Sequence, residues 1–279
     1  VDRNTEKKRP YQDHAVADML DFKTDAILLR RIEYGDHDFI ITFLTKDKGK
    51  ITVMAKNAKK SVKRFSGSLD LFSFNHIQCR FTRKNKAALM TLVQTELENG
   101  FANIRYDVYK TAYASYWVEM VYLWLEEGKT QPEVYDLLLF SLDMLNRSDM
   151  PVDVLSLLFQ IRFMSISGFS PGIERCGICQ VHVDNLCAKI LRFDFREGKT
   201  VCPGCRVNGS SSGLDVSKGT LKQLFWLNNT DVGKADRIRL SSFAVNEGQV
   251  LMESFIAFHM AREFKTLTFL KRLRNESWT

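Results

Sequence analysis

Between Thr24 and Leu97, apolar residues come in short runs separated by charged turns, the signature of β-strands. The runs are 26–29, 39–44, 51–55, 72–81 and 87–95. The turn at 46–50 carries an Asp and a Gly suited to a tight hairpin, and residues 82–86 make a second basic turn. From Asn103 the period becomes helical. Tyr106, Tyr109, Tyr113, Tyr116, Trp117, Met120 and Trp124 step mostly by three and four, a stripe that favours core packing over a partner surface. Phe255, Phe258, Phe264 and Phe269 read the same way. Further helices are predicted over 131–145, from Pro151 to a stop at Gly168, over 217–227, and as one long helix over about 248–273. Residues 1–18 are polar and aperiodic, so they read as a disordered extension with Met19 as a natural start. Residues 208–213 read as a flexible loop.

Five short strands in about 75 residues fit a small closed barrel, and the OB-fold is the usual five-stranded one. The expected class is therefore α+β. An extension (1–22) precedes an OB-fold barrel (23–100), and a mostly helical domain (101–279) carries an inserted segment at 174–207.

That insertion holds the clearest chemistry. Cys176-x2-Cys179 is followed, 22 residues later, by Cys202-x2-Cys205. Each pair lets one turn offer two thiolates to one ion, and two pairs make the closed all-thiolate set that zinc favours. Residues 190–195 and 199–201 flank Arg196-Glu197-Gly198 as a hairpin, giving zinc-ribbon geometry. With no position left for water, one zinc ion would be structural. Cys79 and Cys187 are left over as small buried or partly buried thiols. A zinc deaminase needs a His-x-Glu and a Pro-Cys-x-x-Cys. Here His182-Val183-Asp184 lies between the pairs and Pro203 follows Cys202, so deamination is rejected and His182 reads as an exposed loop residue. No βαβ context supports a thioredoxin-like role.

Charge changes the picture of the barrel. The stretch 23–100 has fifteen basic and eight acidic residues, so it carries the chain's whole net charge of +7 and the remainder is neutral. A basic domain on a neutral body points to a polyanion. Arg30 and Arg31 close the first strand, Lys46, Lys48 and Lys50 crowd the hairpin, and Lys56, Lys59, Lys60, Lys63 and Arg64 follow the third strand. Barrel loops could bring several of these to one face as phosphate ligands. Phe65, Phe72 and Phe74 are candidate base-stacking platforms, although strand phenylalanines are more often core. No base-reading motif is visible. No run of about eighteen apolar residues suggests a membrane span, and the charged first twenty residues argue against a leader. A cytoplasmic, reducing compartment is expected.

These residues resemble the bacterial recombination-mediator family RecO. The resemblance rests on the stretch 30–38 with its Tyr34-Gly35-Asp36 turn, on Leu44-Thr45 with Lys48-Gly49-Lys50, and on the basic loop 55–72. It extends to Gly168-Phe169-Ser170-Pro171 ahead of Cys176 and to the helix over 259–270. It covers roughly 24–273. Asn57 stands where the family often has glycine, and Leu71-Phe72 replaces a Pro-Phe pair. The resemblance implies a non-enzymatic DNA repair and recombination mediator. Such a protein binds single- and double-stranded DNA, anneals complementary strands and binds the acidic C-terminal tail of single-stranded DNA-binding protein. With RecR, often also RecF, it helps RecA load, in a cytoplasmic, nucleoid-associated setting. The absence of a Gly-x4-Gly-Lys-Ser/Thr loop agrees with an action that needs no nucleotide. The competing reading is an RNA-binding OB-fold and zinc protein with no recombination role.

Overall fold

The structure is a computed structural model that describes residues 19–65, 67–82, 89–206, 212–230 and 238–276. The expected extension over 1–18, most of the basic turn at 82–86 and most of the loop at 208–213 lie outside the described residues.

Five strands close the barrel: β1 (Met19–Tyr34), β2 (Asp38–Thr45), β3 (Gly49–Ala55), β4 (Phe74–Thr82) and β5 (Met90–Asn99). Their order around it is β1-β2-β3-β5-β4, with β3 and β5 parallel and the other pairs antiparallel. This is the OB-fold. Strand β1 serves two neighbours, its first half pairing with β4 and its second with β2, with a register shift in the β2 pairing between Leu28 and Arg30. It also begins before the expected boundary at 23, since Met19 to Phe22 pair with Thr82 to Cys79. Alternation along β1 decides the packing. Ala26 and Leu28 point into the barrel with Ile41, Phe43, Val53, Ile77 and Leu92, and Phe65 and Leu69 plug its end. Ile27 and Leu29 point outward and, with Leu44 and Phe72, join the core of the helical body.

Phe65 and Phe72 are therefore buried and Phe74 half-buried, so neither Phe65 nor Phe72 offers a face to a base. The turn α1 (Val62–Phe65) and the segment 67–73 run between β3 and β4. Asn57, which stands where the family often has glycine, has φ 54, and Phe72, next to the departing Leu71, has φ 72, so both adopt a left-handed backbone. Asn tolerates that conformation well.

The body contains α2 (Ala102–Arg105), α3 (Val108–Trp124), α4 (Pro132–Arg147), α5 (Val152–Ile166), α6 (Lys218–Asn229), α7 (Ser242–Met260) and α8 (Lys265–Glu276). Asp107, Ser217 and Ser241 cap α3, α6 and α7 by accepting from first-turn amides. The single long helix expected over 248–273 is two helices. Ala261 ends α7 in the left-handed region at φ 48, and Glu119 of α3 accepts from the Thr266 amide at 2.9 Å and caps the new helix. The stripe on α3 is core at Tyr113, Tyr116, Trp117 and Met120, with Trp117 stacked on Phe159 at 5.2 Å, while Tyr106 and Tyr109 are exposed. Phe255 and Phe264 are buried, but Phe258 and Phe269 are exposed.

The inserted segment is a four-stranded sheet of β6 (Gly172–Cys176), β7 (Ile190–Asp194), β8 (Lys199–Val201) and β9 (Gly213–Ser217), in the order β6-β8-β7-β9. The expected β7–β8 hairpin is present, with strands the pattern did not reveal on either side. Phe193 meets Phe255 of α7 edge-on at 5.2 Å, which seats this sheet on the body.

Candidate metal centre and nucleic-acid interface

The four cysteines meet between two turns. The first follows β6; Gly177 donates to the Thr200 carbonyl at 2.7 Å, which pins that turn beside β8 and the second pair. The second is a 3-10 turn (Pro203–Cys205) in which the Cys205 amide donates to the Cys202 carbonyl at 3.0 Å. All four Sγ atoms lie within 4.8 Å of one another, and those of Cys179 and Cys202 are 3.9 Å apart. A tetrahedral ion with metal–sulfur bonds near 2.3 Å would set its sulfurs about 3.8 Å apart, so the quartet could hold a metal ion as it stands.

Electrostatics favour the same reading. Burial raises the Cys176 thiol, but the backbone N–H groups of Cys202, Cys179 and Ile178 outweigh it and bring the thiol down to about 6. The Cys202 amide donates to the Cys176 sulfur at 3.4 Å. Cys205 goes the other way, to about 12, because its thiol donates to the sulfurs of Cys202 and Cys179. Cys202 is also raised, by burial first, so the sulfurs share protons among themselves and a metal ion would bind by displacing them.

The remaining thiols and His182 stand apart from this cluster. Cys79 is buried in the barrel, where desolvation pushes its thiol up to about 12. Cys187, expected to be at least partly buried, is exposed, because it lies in the irregular stretch between the 3-10 turn (Val183–Asn185) and β7. His182 is not an exposed loop residue but half-buried, and its Nδ1 accepts from the Asp184 amide at 3.1 Å.

The ten basic residues do not gather on one face. Lys46 and Lys48 sit at the tip of the β2–β3 turn and Lys56, Lys59 and Lys60 beyond the far end of β3. A seven-residue strand separates those ends by roughly 20 Å. Around the far end, Lys59 pairs with Glu33 at 2.8 Å and Arg31 with Asp70 at 3.4 Å, and both cations lie over the Phe39 ring at 5.7 and 5.0 Å. Arg64 donates to the Lys56 carbonyl and to Ser61 Oγ at 2.8 and 2.9 Å, folding the loop on itself. Lys56, Lys60 and Lys63 are exposed, with no ion-pair partner among the described residues. Arg30 and Lys50 form a third group on the body side. Their charges lie 5.3 and 4.9 Å from the centre of the Tyr122 ring on α3. Tyr122, which the sequence pattern did not single out, is the residue the structure adds.

No helix among the described residues is long and apolar enough to cross a membrane. Two family models match the chain, "Recombination protein O N terminal" over residues 19–101 and "Recombination protein O C terminal" over residues 105–268. Among curated proteins it is similar to a DNA repair protein RecO of Desulfatibacillum aliphaticivorans, 43% identical over 90% of this chain and 96% of the relative. A protein of the same name from Desulfosudis oleivorans is 38% identical over 91% of this chain and 98% of the relative. One from Syntrophus aciditrophicus is 29% identical over 90% and 96%.

Proposed function

The chain belongs to the RecO family of DNA repair proteins. From that premise we propose that it binds single- and double-stranded DNA and anneals complementary strands. We further propose that, with RecR and in some settings RecF, it helps RecA load on DNA coated with single-stranded DNA-binding protein. In this reading it acts in the cytoplasm at the nucleoid, by binding rather than by catalysis. The acidic C-terminal tail of the coating protein is its point of recruitment.

The observation that carries the DNA-binding part is the loop after β3. Lys56, Lys60 and Lys63 hold their charge in solvent with no carboxylate paired to them among the described residues, at the end of a barrel that carries the chain's net positive charge. Phosphates would release their counterions to these groups, so binding would fall steeply with salt. Phe65 and Phe72 are buried and offer no face to a base, whereas Tyr34 and Phe81 present exposed rings on the barrel. Lys59, Arg31 and Arg64 stand around this core of free charge, while Lys46 and Lys48 act from the opposite end of β3. Arg30 and Lys50 act on the body side.

The quartet of Cys176, Cys179, Cys202 and Cys205 is assigned one zinc ion. A closed four-sulfur set leaves no position for water, so the ion would supply folding energy and no chemistry. Its role is to hold the β6–β9 sheet against α7.

The test is annealing of complementary strands coated with single-stranded DNA-binding protein, with and without that protein's acidic tail. Tail-dependent acceleration without nucleotide is the expected result. No acceleration in either case, with stronger binding to structured RNA than to single-stranded DNA, would replace this function with the RNA-binding one.

A further inference from the structure

A groove of about 520 Å³ runs where β1, α3 and the start of α8 meet, lined among others by Arg30, Arg31, Tyr122, Glu119 and Lys265. Its charges are arranged unusually. Arg30 donates to the Tyr122 hydroxyl at 2.8 Å, and Lys50 donates to the Tyr122 carbonyl at 2.8 Å. Two cations from different strands of the barrel thus converge on one residue of the body, and both use neutral oxygen acceptors. No carboxylate lies within ion-pair distance of either among the described residues. Lys265 is exposed on the groove's rim and has no ion-pair partner there either.

Both cations keep their charge beside neutral acceptors rather than a paired carboxylate, and an anion bound near them would be favoured. The one carboxylate lining the groove does not serve that purpose. Glu119 is turned to the first amides of α8, accepting from Lys265 at 3.4 Å and Thr266 at 2.9 Å, and from the Thr266 hydroxyl. Arg31 is also spoken for, through Asp70 and the Leu69 carbonyl. The groove walls are fixed, because Ile27, Leu29 and Phe72 of the barrel share one core with α3. Gly49 lies so close to the body that an added Cβ would come 2.1 Å from the Lys129 carbonyl oxygen. The cations are therefore presented by a rigid junction rather than by loose loops.

We infer that this junction groove is a second phosphate-binding tract for single-stranded DNA, with Arg30 and Lys265 of its lining as the backbone ligands and Tyr122, whose carbonyl also holds Lys50, as the positioning residue that aims Arg30. The inference rests on the DNA-binding reading proposed above. It carries the strand off the barrel and onto the helical body, and it makes Lys265 a DNA ligand outside the barrel.

Binding of a fluorescent oligothymidylate to the full chain, measured across salt concentrations, tests it with three variants. Lys265→Gln should lower the salt slope by about 0.7 and weaken binding about fivefold near 0.1 M salt, the share of one phosphate contact on a single strand. Tyr122→Phe keeps the ring but frees the Arg30 guanidinium, and should weaken binding with unchanged thermal stability. Lys60→Gln/Lys63→Gln reports on the barrel loop alone. If that pair lowers the slope while Lys265→Gln and Tyr122→Phe leave it unchanged, the groove does not bind the strand and the barrel reading stands. If none of the three changes the slope, the DNA-binding function itself fails.

Discussion

At the scale of single residues, charge placement was only partly legible in the sequence. The basic residues of the barrel are plain to read, but which of them are neutralised depends on partners far along the chain: Glu33 for Lys59, and Asp70 for Arg31. The four metal-binding candidates, by contrast, were legible from spacing alone, because a two-residue gap already fixes the turn. His76 shows what spacing hides. It sits on β4 beside Asp25 of β1 at 2.5 Å and Glu98 of β5 at 3.4 Å. The hydrogen bond to Asp25 raises its pKa against the opposing effect of desolvation, with help from the charges of Asp25 and Glu98. A histidine whose folded pKa lies above its unfolded value stabilises the fold fully below the unfolded pKa. That contribution disappears as pH rises through the folded pKa. His76→Gln should therefore cost stability at pH 5.5 and nothing at pH 9. The loss should be at most about 1 kcal/mol, because the side chain is 47% exposed and water screens the pair. Urea unfolding at the two pH values measures it, and an equal loss at both would show that the ion pair is not the cause.

At the scale of elements, strands and helices followed the hydrophobic period where that period was long and clean. The failures have physical reasons. The break between α7 and α8 carries no proline or glycine, only Ala261 at positive φ, and what fixes it is a carboxylate from α3 that no local pattern reveals. Strands β6 and β9 are five residues each and pair with neighbours on one side only, too short to show alternation. The docking of α8 depends on a buried pair. Arg274 donates to Glu253 of α7 at 2.6 Å and to the Tyr113 hydroxyl at 2.9 Å, while Lys271 lies 3.3 Å from the other Glu253 oxygen. Glu253 is only 3% exposed. Glu253→Gln keeps the shape but removes the buried carboxylate charge that Arg274 and Lys271 share, and should destabilise the protein by about 2–3 kcal/mol. Chemical denaturation would read this directly; a loss below about 1 kcal/mol would mean that Arg274 swings out to water and that the pair does not hold α8.

At the scale of the whole molecule, the sequence divides cleanly into a β half and an α half, and that division misleads about cooperativity. Alternation along β1 gives the barrel two apolar faces, and the outer one is not a solvent face. Ile27, Leu29, Leu44 and Phe72 belong to the same buried cluster as Trp117, Phe159 and Phe255, and that cluster reaches Cys176, Cys202 and Phe193 in the inserted sheet. Barrel, helices and inserted sheet thus share one core. Loss of the ion proposed for the quartet should then be felt everywhere. Cys202→Ser removes one of the four sulfurs that would hold it and should lower stability by about 3 kcal/mol, or roughly 6–12 °C in melting temperature. Because the core is continuous, calorimetry should show one transition moving down as a whole, both for this variant and for the wild-type chain treated with a chelator. A low-temperature peak that splits away while the rest melts at the original temperature would mean that the inserted sheet is an independent unit. A transition that stays put with the metal gone, as measured by atomic absorption, would mean that the quartet does not stabilise the fold.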